Sequence, residues 1–121
     1  MNFENLAAKF NDRFIFFDGA MGTMLQKAGL KLGELPEVLN ITNADIIRDI
    51  HRKYLDAGAD IITTNTFGAN ELKYNSFDYN IEDVISAGVR LAKKEAGNKL
   101  VALDIGPIGK IMEPTGILTF E

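Results

Sequence analysis

Two strings, Asp18-Gly19-Ala20-Met21-Gly22-Thr23 and Thr63-Thr64-Asn65-Thr66-Phe67-Gly68-Ala69-Asn70, have residue types and spacing suited to chemistry. In the first, a carboxylate precedes residues with small side chains. Asp18 can hold an ammonium group there while neighbouring backbone N–H groups receive a carboxylate. That is the polarity of an amino-acid zwitterion. The same string also suits a tight strand-to-helix turn that requires glycine, and it lacks the GxGxxG spacing of dinucleotide sites. In the second string, the hydroxyls of Thr63, Thr64 and Thr66 and the amide of Asn65 can fix a polar ligand, with Phe67 as an apolar wall. A β-prone strand end running into a turn has the same composition. A third string, Asp104-Ile105-Gly106-Pro107-Ile108-Gly109-Lys110, superficially suggests a phosphate loop, but Ile111 stands where that loop needs a hydroxyl.

Other reactive side chains are sparse. His51 is the only histidine, sits mid-helix beside Arg52 and Lys53, and reads as a surface position. With no cysteine in the chain, nothing joins it in a metal site. Ser76 and Ser86 are not in nucleophile-elbow contexts. The 121 residues fit one domain, and 46% hydrophobic with 25% charged residues is a globular composition. A net charge of −4 leaves no basic surplus to neutralise phosphates, so nucleic-acid binding is excluded, and Arg90, Lys93 and Lys94 read as a solvated helix face. No apolar run approaches the roughly 20 residues that span a bilayer. The N-terminus lacks the basic and apolar regions of a signal peptide, and without cysteine there is no disulfide framework, so a cytoplasmic location is expected.

The strings are placed by the elements around them. Leu6 and Phe10 at helical spacing predict a short opening helix, interrupted at Asn11-Asp12. Phe14-Ile15-Phe16-Phe17 reads as a strand buried on both faces, ending at Asp18-Gly19. Residues 23–27 predict one or two helical turns, and 29–41 an irregular connection. A helix then begins at a Thr42 or Asn43 cap, carries Ile46, Ile47, Ile50, Tyr54 and Leu55 on one stripe, and stops at Gly58. Residues 60–64 form the second strand. A helix capped by Asn80 and stopped by Gly97 follows, and Leu100–Leu103 forms the third strand, ending at Asp104. After a loop rich in Gly and Pro, Thr119 is placed to cap another helix. Strands alternating with helices imply a parallel sheet, with each polar string at a strand's C-terminal end, where barrel enzymes build active sites.

Taken together, these strings resemble the homocysteine S-methyltransferase family, at the start of the homocysteine-binding domain of its cobalamin-dependent methionine synthase branch. The resemblance is carried by Phe17 to Gln26, Pro36-Glu37-Val38-Leu39-Asn40-Ile41-Thr42, Tyr54 to Asp60 running into Thr63 to Ala69, and Asp104 to Gly109, in that order and spacing. It implies an α/β fold, the N-terminal portion of a (β/α)8 TIM barrel with about three parallel strands. Residues 1–121 would then form a single incomplete domain. It also implies homocysteine as substrate, with Asp18 and the Gly19 backbone on its amino-acid end, Thr64, Asn65 and Thr66 lining the pocket, and Asp104 at the rim.

The family's zinc, held by three cysteines, delivers the substrate thiol as thiolate, since a free thiol of pKa about 8.5 is mostly protonated at neutral pH. Cobalamin, recharged from methyltetrahydrofolate on other domains, supplies the methyl group. None of the zinc cysteines is in this chain. The expectation is therefore a truncated piece of a longer methyltransferase, inactive alone, which leaves apolar strand faces open and self-associates or packs against the remainder of its barrel. The alternative is a non-catalytic half-barrel that works as a binding or assembly module.

Overall fold

The apolar stripe at residues 46–55 sets the frame. In the computed structural model, which describes residues 3–10, 13–74 and 78–120, it lies on α4 (Ala44–Asp56). Ile47 and Ile50 pack there with Leu25 of α2 (Met21–Lys27). Asn43 precedes α4 without a side-chain capping bond, whereas the C-terminal stop is as expected. Gly58, at φ 105°, donates its N–H to Leu55, and Ala59 donates to Tyr54, which closes the last turn and turns the chain directly into β1 (Ile61–Thr63).

The second crossover helix, α6 (Ile81–Ala96), begins where Asn80 Oδ1 accepts the N–H groups of Glu82 and Asp83 at 2.8 and 3.3 Å. It ends at Gly97 and returns the chain to β2 (Leu100–Ala102). β1 and β2 are parallel, with Ile61 opposite Leu100, Ile62 opposite Val101 and Thr63 opposite Ala102. The two helices pack together over this pair, and Ala59, Ile62, Ala92 and Ala96 form the core between them.

The first predicted strand takes a different form. Residues 14–18 run beside the free edge of β1, with one parallel bridge between Phe17 and Ile61 and a bond from the Asp18 N–H to the Ile61 carbonyl at 2.9 Å. The run is not buried on both faces: Phe14 is 86% exposed and Phe17 59%. Among the described residues its only strand partner is β1, and that contact covers one edge and neither ring face. The observed architecture is thus an α/β fold around a two-stranded parallel sheet with a third run at its edge, in the order 14–18, β1, β2.

Three smaller expectations change. Within residues 29–41, read as irregular, a 3-10 turn (Pro36–Val38) and α3 (Leu39–Thr42, which takes in the candidate cap Thr42) form, and a short α5 (Glu71–Tyr74) follows the second string. Residues 118–120 are not helical, and the helix expected after Thr119 would lie outside the described residues. His51 is fully buried, on the side of α4 that also carries Ile47 and Ile50, because it falls at i+4 and i+1 of that stripe. The opening helix is present as α1 (Phe3–Phe10), while its expected break at Asn11-Asp12, and Ser76, lie outside the described residues. Among the described residues no helix is long and apolar enough to cross a membrane.

At the N-terminal ends of the strands, Asp60 is buried and takes a bidentate bond from Arg13 at 2.7 and 2.9 Å, the Phe16 N–H at 3.1 Å and Lys99 at 3.3 Å. Arg13 first, then the Phe16 N–H and Lys99, hold its carboxyl well below the usual range against the opposing effect of burial. This clamp gathers the edge run and both strands at one end, and the polar strings emerge at the other.

Candidate functional site

At the C-terminal ends of the strands the sequence places Asp18, Thr63 to Thr66, and Asp104. Asp18 leaves the edge run half-buried, and its carboxylate is met by the Thr63 N–H at 2.9 Å and the Thr63 hydroxyl at 3.0 Å. Burial raises its pKa, the two Thr63 bonds oppose that rise, and the nearby charge of Asp104 adds to it. Thr63 is the hydroxyl of the second string that takes this contact. Its role depends on strand register, which puts residue 63 beside residue 18, and no local motif signals it.

Gly19 is required by close approach. A Cβ there would stand 2.9 Å from the Tyr54 hydroxyl, which donates to the Ala20 carbonyl at 3.0 Å. Burial, and then the Asp18 charge, push the Tyr54 phenol up, so it remains a neutral donor. The glycine thus lets a residue of α4 hold the Asp18–Ala20 turn from behind while Gly19 itself stays exposed.

Thr64, Thr66 and Asp104 come together. The two threonine hydroxyls are 2.7 Å apart, Thr66 donates to the Asp104 carbonyl at 2.7 Å, and the Asp104 N–H donates to the Thr64 hydroxyl at 3.0 Å. Both threonines are buried. Their hydroxyls bridge the ends of β1 and β2, an inward structural use of groups expected to line a pocket.

Asn65 points elsewhere, into a buried amide cluster. Its Nδ2 donates to the Pro36 carbonyl at 2.8 Å and to Asn40 Oδ1 at 3.0 Å, while Asn40 Nδ2 donates to the carbonyls of Asn65 and Val84 at 2.8 and 3.2 Å. Every one of these amide groups is paired, so the cluster rigidifies the loop under the mouth. The groups presented outward are the Asp18 carboxylate, the Gly19 backbone, the Asp104 side chain and the Phe67 ring, which is 56% exposed. Asp18 and Asp104, close enough for the charge of one to act on the other, can hold an ammonium group.

A zinc ion does not fit the residues present. The chain has no cysteine, its one histidine is buried in helix packing, and among the described residues no group of three His, Cys, Asp or Glu could hold a metal.

Comparison with known proteins bears on what this site is for. The pattern of the family described as homocysteine S-methyltransferase matches residues 15–121. Two curated relatives are methionine synthases, from Mycobacterium leprae at 40% identity over 92 residues and from Mycobacterium tuberculosis at 39% over 94 residues. These matches take in 69% and 71% of this chain but only 8% of either relative's length. Among solved structures, the homocysteine methyltransferase MmuM from Escherichia coli is similar in its metallated form, with a TM-score of 0.74 and 28% identity over 86% of this chain and 42% of that one. Its oxidized form gives a TM-score of 0.76 and 27% identity, over 89% of this chain and 42% of that one. The likeness is therefore one of sequence and fold together, and the chain belongs to the homocysteine S-methyltransferase family.

Proposed function

We propose that residues 1–121 supply the first βα units of a homocysteine-binding (β/α)8 barrel, acting in the cytoplasm on the amino-acid end of homocysteine. The observation that carries this reading is the Asp18 carboxylate, oriented by two bonds from Thr63 and set beside the exposed Gly19 backbone at a strand's C-terminal end. Asp18 binds the substrate ammonium, the backbone after it receives the carboxylate, and Phe67 borders the methylene chain. Thr64, Thr66 and Asp104 fix the distance between the strand ends, and Asn65 fixes the loop beneath them.

Methyl transfer in this reading belongs to an assembly that also brings the zinc cysteines, with cobalamin recharged from methyltetrahydrofolate as donor. The chain alone binds substrate without methylating it. Calorimetric titration of the protein with L-homocysteine tests the binding step. Asp18→Asn is expected to weaken it by at least about tenfold, the equivalent of one lost ion pair of about 1.4 kcal/mol. 4-Mercaptobutyrate, which lacks the ammonium, is expected not to bind. Equal affinity of Asp18→Asn and wild type would sink the reading.

The open strand edge favours a second reading, a binding or assembly module. Phe14, Phe16, Ile105, Ile117 and Phe120 are all exposed, apolar side chains that a partner could cover. In that case the protein sediments as a discrete oligomer and binds no homocysteine. A monomer that binds homocysteine excludes it.

A further inference from the structure

We infer that Glu37 is a positioning residue that sets the Phe67 wall through the backbone of Gly68; the inference rests on the homocysteine-binding reading above. Glu37 lies in the 3-10 turn before α3 and is 3% exposed, an unusual place for a carboxylate unless both oxygens are engaged. They are. Oε1 accepts the Gly68 N–H at 2.7 Å and Oε2 accepts the Tyr74 hydroxyl at 3.1 Å. Burial first, and Glu37 next, push the Tyr74 phenol far up, which keeps it a donor.

The contact depends on the absence of a side chain at residue 68. A Cβ on Gly68 would stand 2.6 Å from Glu37 Oε1 and 2.5 Å from Lys73 Nζ. One residue earlier, the Phe67 carbonyl accepts the Gly106 N–H at 3.0 Å. A Cβ on Gly106 would run into that carbonyl and into the Phe67 ring, so the ring lies directly over the glycine. One buried carboxylate therefore joins the turn before α3, the loop after β1 and the loop after β2. The Phe67 ring stands where the three meet. Losing the carboxylate frees the Phe67-Gly68 peptide to turn, and the ring moves with it.

A double-mutant cycle read by L-homocysteine affinity tests this. Glu37→Ala and Phe67→Ala are each expected to raise the Kd about tenfold, and the double variant no further than Phe67→Ala alone, because both act through one ring. A purely structural role gives losses that add. Glu37→Gln keeps an acceptor for Gly68 and is expected to restore most of the affinity. Gly68→Ala, which displaces the same contact, is expected to reproduce the loss and its coupling to Phe67, so the cycle survives if Glu37→Ala fails to fold.

Hydrogen exchange at the Gly106 amide supplies a readout that needs no ligand. It is expected to quicken in Glu37→Ala and stay unchanged in Asp18→Asn. Additive losses, an unchanged Kd in Glu37→Ala, or unchanged Gly106 exchange overturn the inference. If wild type binds no homocysteine, the binding reading falls, and the Gly106 exchange alone decides whether the loops are tied as described.

Discussion

Thr63 holds both oxygens of Asp18: it donates its backbone N–H to Oδ2 at 2.9 Å and its hydroxyl to Oδ1 at 3.0 Å. Both bonds favour the ionised carboxylate and oppose the burial that raises its pKa. The pair also spans two separate runs of chain, so the Asp18 carboxylate is only as well placed as the register between them.

Thr63→Val keeps the β-branched shape and the backbone bond but removes the hydroxyl. It is expected to cost about 1.5 kcal/mol at neutral pH, as the loss of one hydrogen bond to a charged group. The Asp18 pKa should rise further above its ordinary value. A group with a raised folded pKa weakens the fold once ionised, so the penalty of the variant appears as pH rises through the folded pKa and vanishes below the unfolded one. Carboxyl NMR titration of Asp18, together with urea unfolding at several pH values, checks both parts. An unshifted Asp18 would show that the hydroxyl bond carries no weight.

His51 predicts an acid-sensitive stability. It is fully buried, and neither ring nitrogen has a hydrogen-bond partner among the described residues. Burial lowers its pKa from 6.5 to about 4, only partly offset by the charge of Glu95, which is itself paired with Arg48 and Arg52. The folded imidazole therefore stays neutral where the unfolded one takes a proton. Its contribution is intact above about pH 6.5 and is lost as pH falls toward about 4, roughly 3 kcal/mol over that interval. His51→Leu is expected to match or exceed wild-type stability at pH 7 and to flatten this part of the pH profile. A profile unchanged by the substitution would contradict the assignment.

Asp60 acts at lower pH and with the opposite partners. Its depressed carboxyl supports the fold above the ordinary aspartate range, near pH 3.9, and the support is lost as pH drops below it. Asp60→Asn keeps the shape but gives up the charge facing Arg13 and Lys99. Its melting temperature is expected to lie below wild type at pH 7, with the gap closing as pH falls under about 4. A gap of constant size from pH 7 to 3 would mean the clamp is not electrostatic.

The order of helices and strands was legible because local chemistry and tertiary demand agree at Asn80, Gly58 and Gly97, which bound the crossover helices where expected. The strings at the strand ends were legible for the same reason, since each follows a short apolar run. The distribution of work within them was not. Whether a threonine hydroxyl faces a mouth or a neighbouring strand depends on register, and so Thr64 and Thr66 turned out to bridge β1 and β2 while Thr63 took the contact to Asp18. His51 was misread because its charged neighbours Arg52 and Lys53 were weighed above its place on the stripe of Ile47 and Ile50. Phe14 to Phe17 show the converse: a run apolar enough for burial on both faces meets only one strand edge among the described residues. Glu37 was legible as part of the Pro36 to Thr42 string but not in its role, because nothing local says that an acidic side chain will turn inward to Gly68 and Tyr74.

Gly88 offers a test in which two effects of opposite sign compete. It sits inside α6, where replacing glycine by alanine ordinarily gains about 0.5–1 kcal/mol of helix stability. Here a Cβ would stand 2.7 Å from Asn40 Nδ2 and 3.0 Å from Thr66 Cγ2. Asn40 has no freedom to retreat, since Nδ2 already donates to the carbonyls of Asn65 and Val84 and its Oδ1 accepts from Asn65. Overpacking at such a point costs about 1–3 kcal/mol, so Gly88→Ala is expected to destabilise overall despite its helix preference. The loss should pass through the amide cluster to the strand-end loop. With Asn40→Ala in place the clash is relieved, and adding Gly88→Ala should then be neutral or stabilising. Urea unfolding of the two single variants and the double variant measures this coupling directly, and a Gly88→Ala that stabilises the otherwise unaltered protein would show that α6 can shift away from the loop.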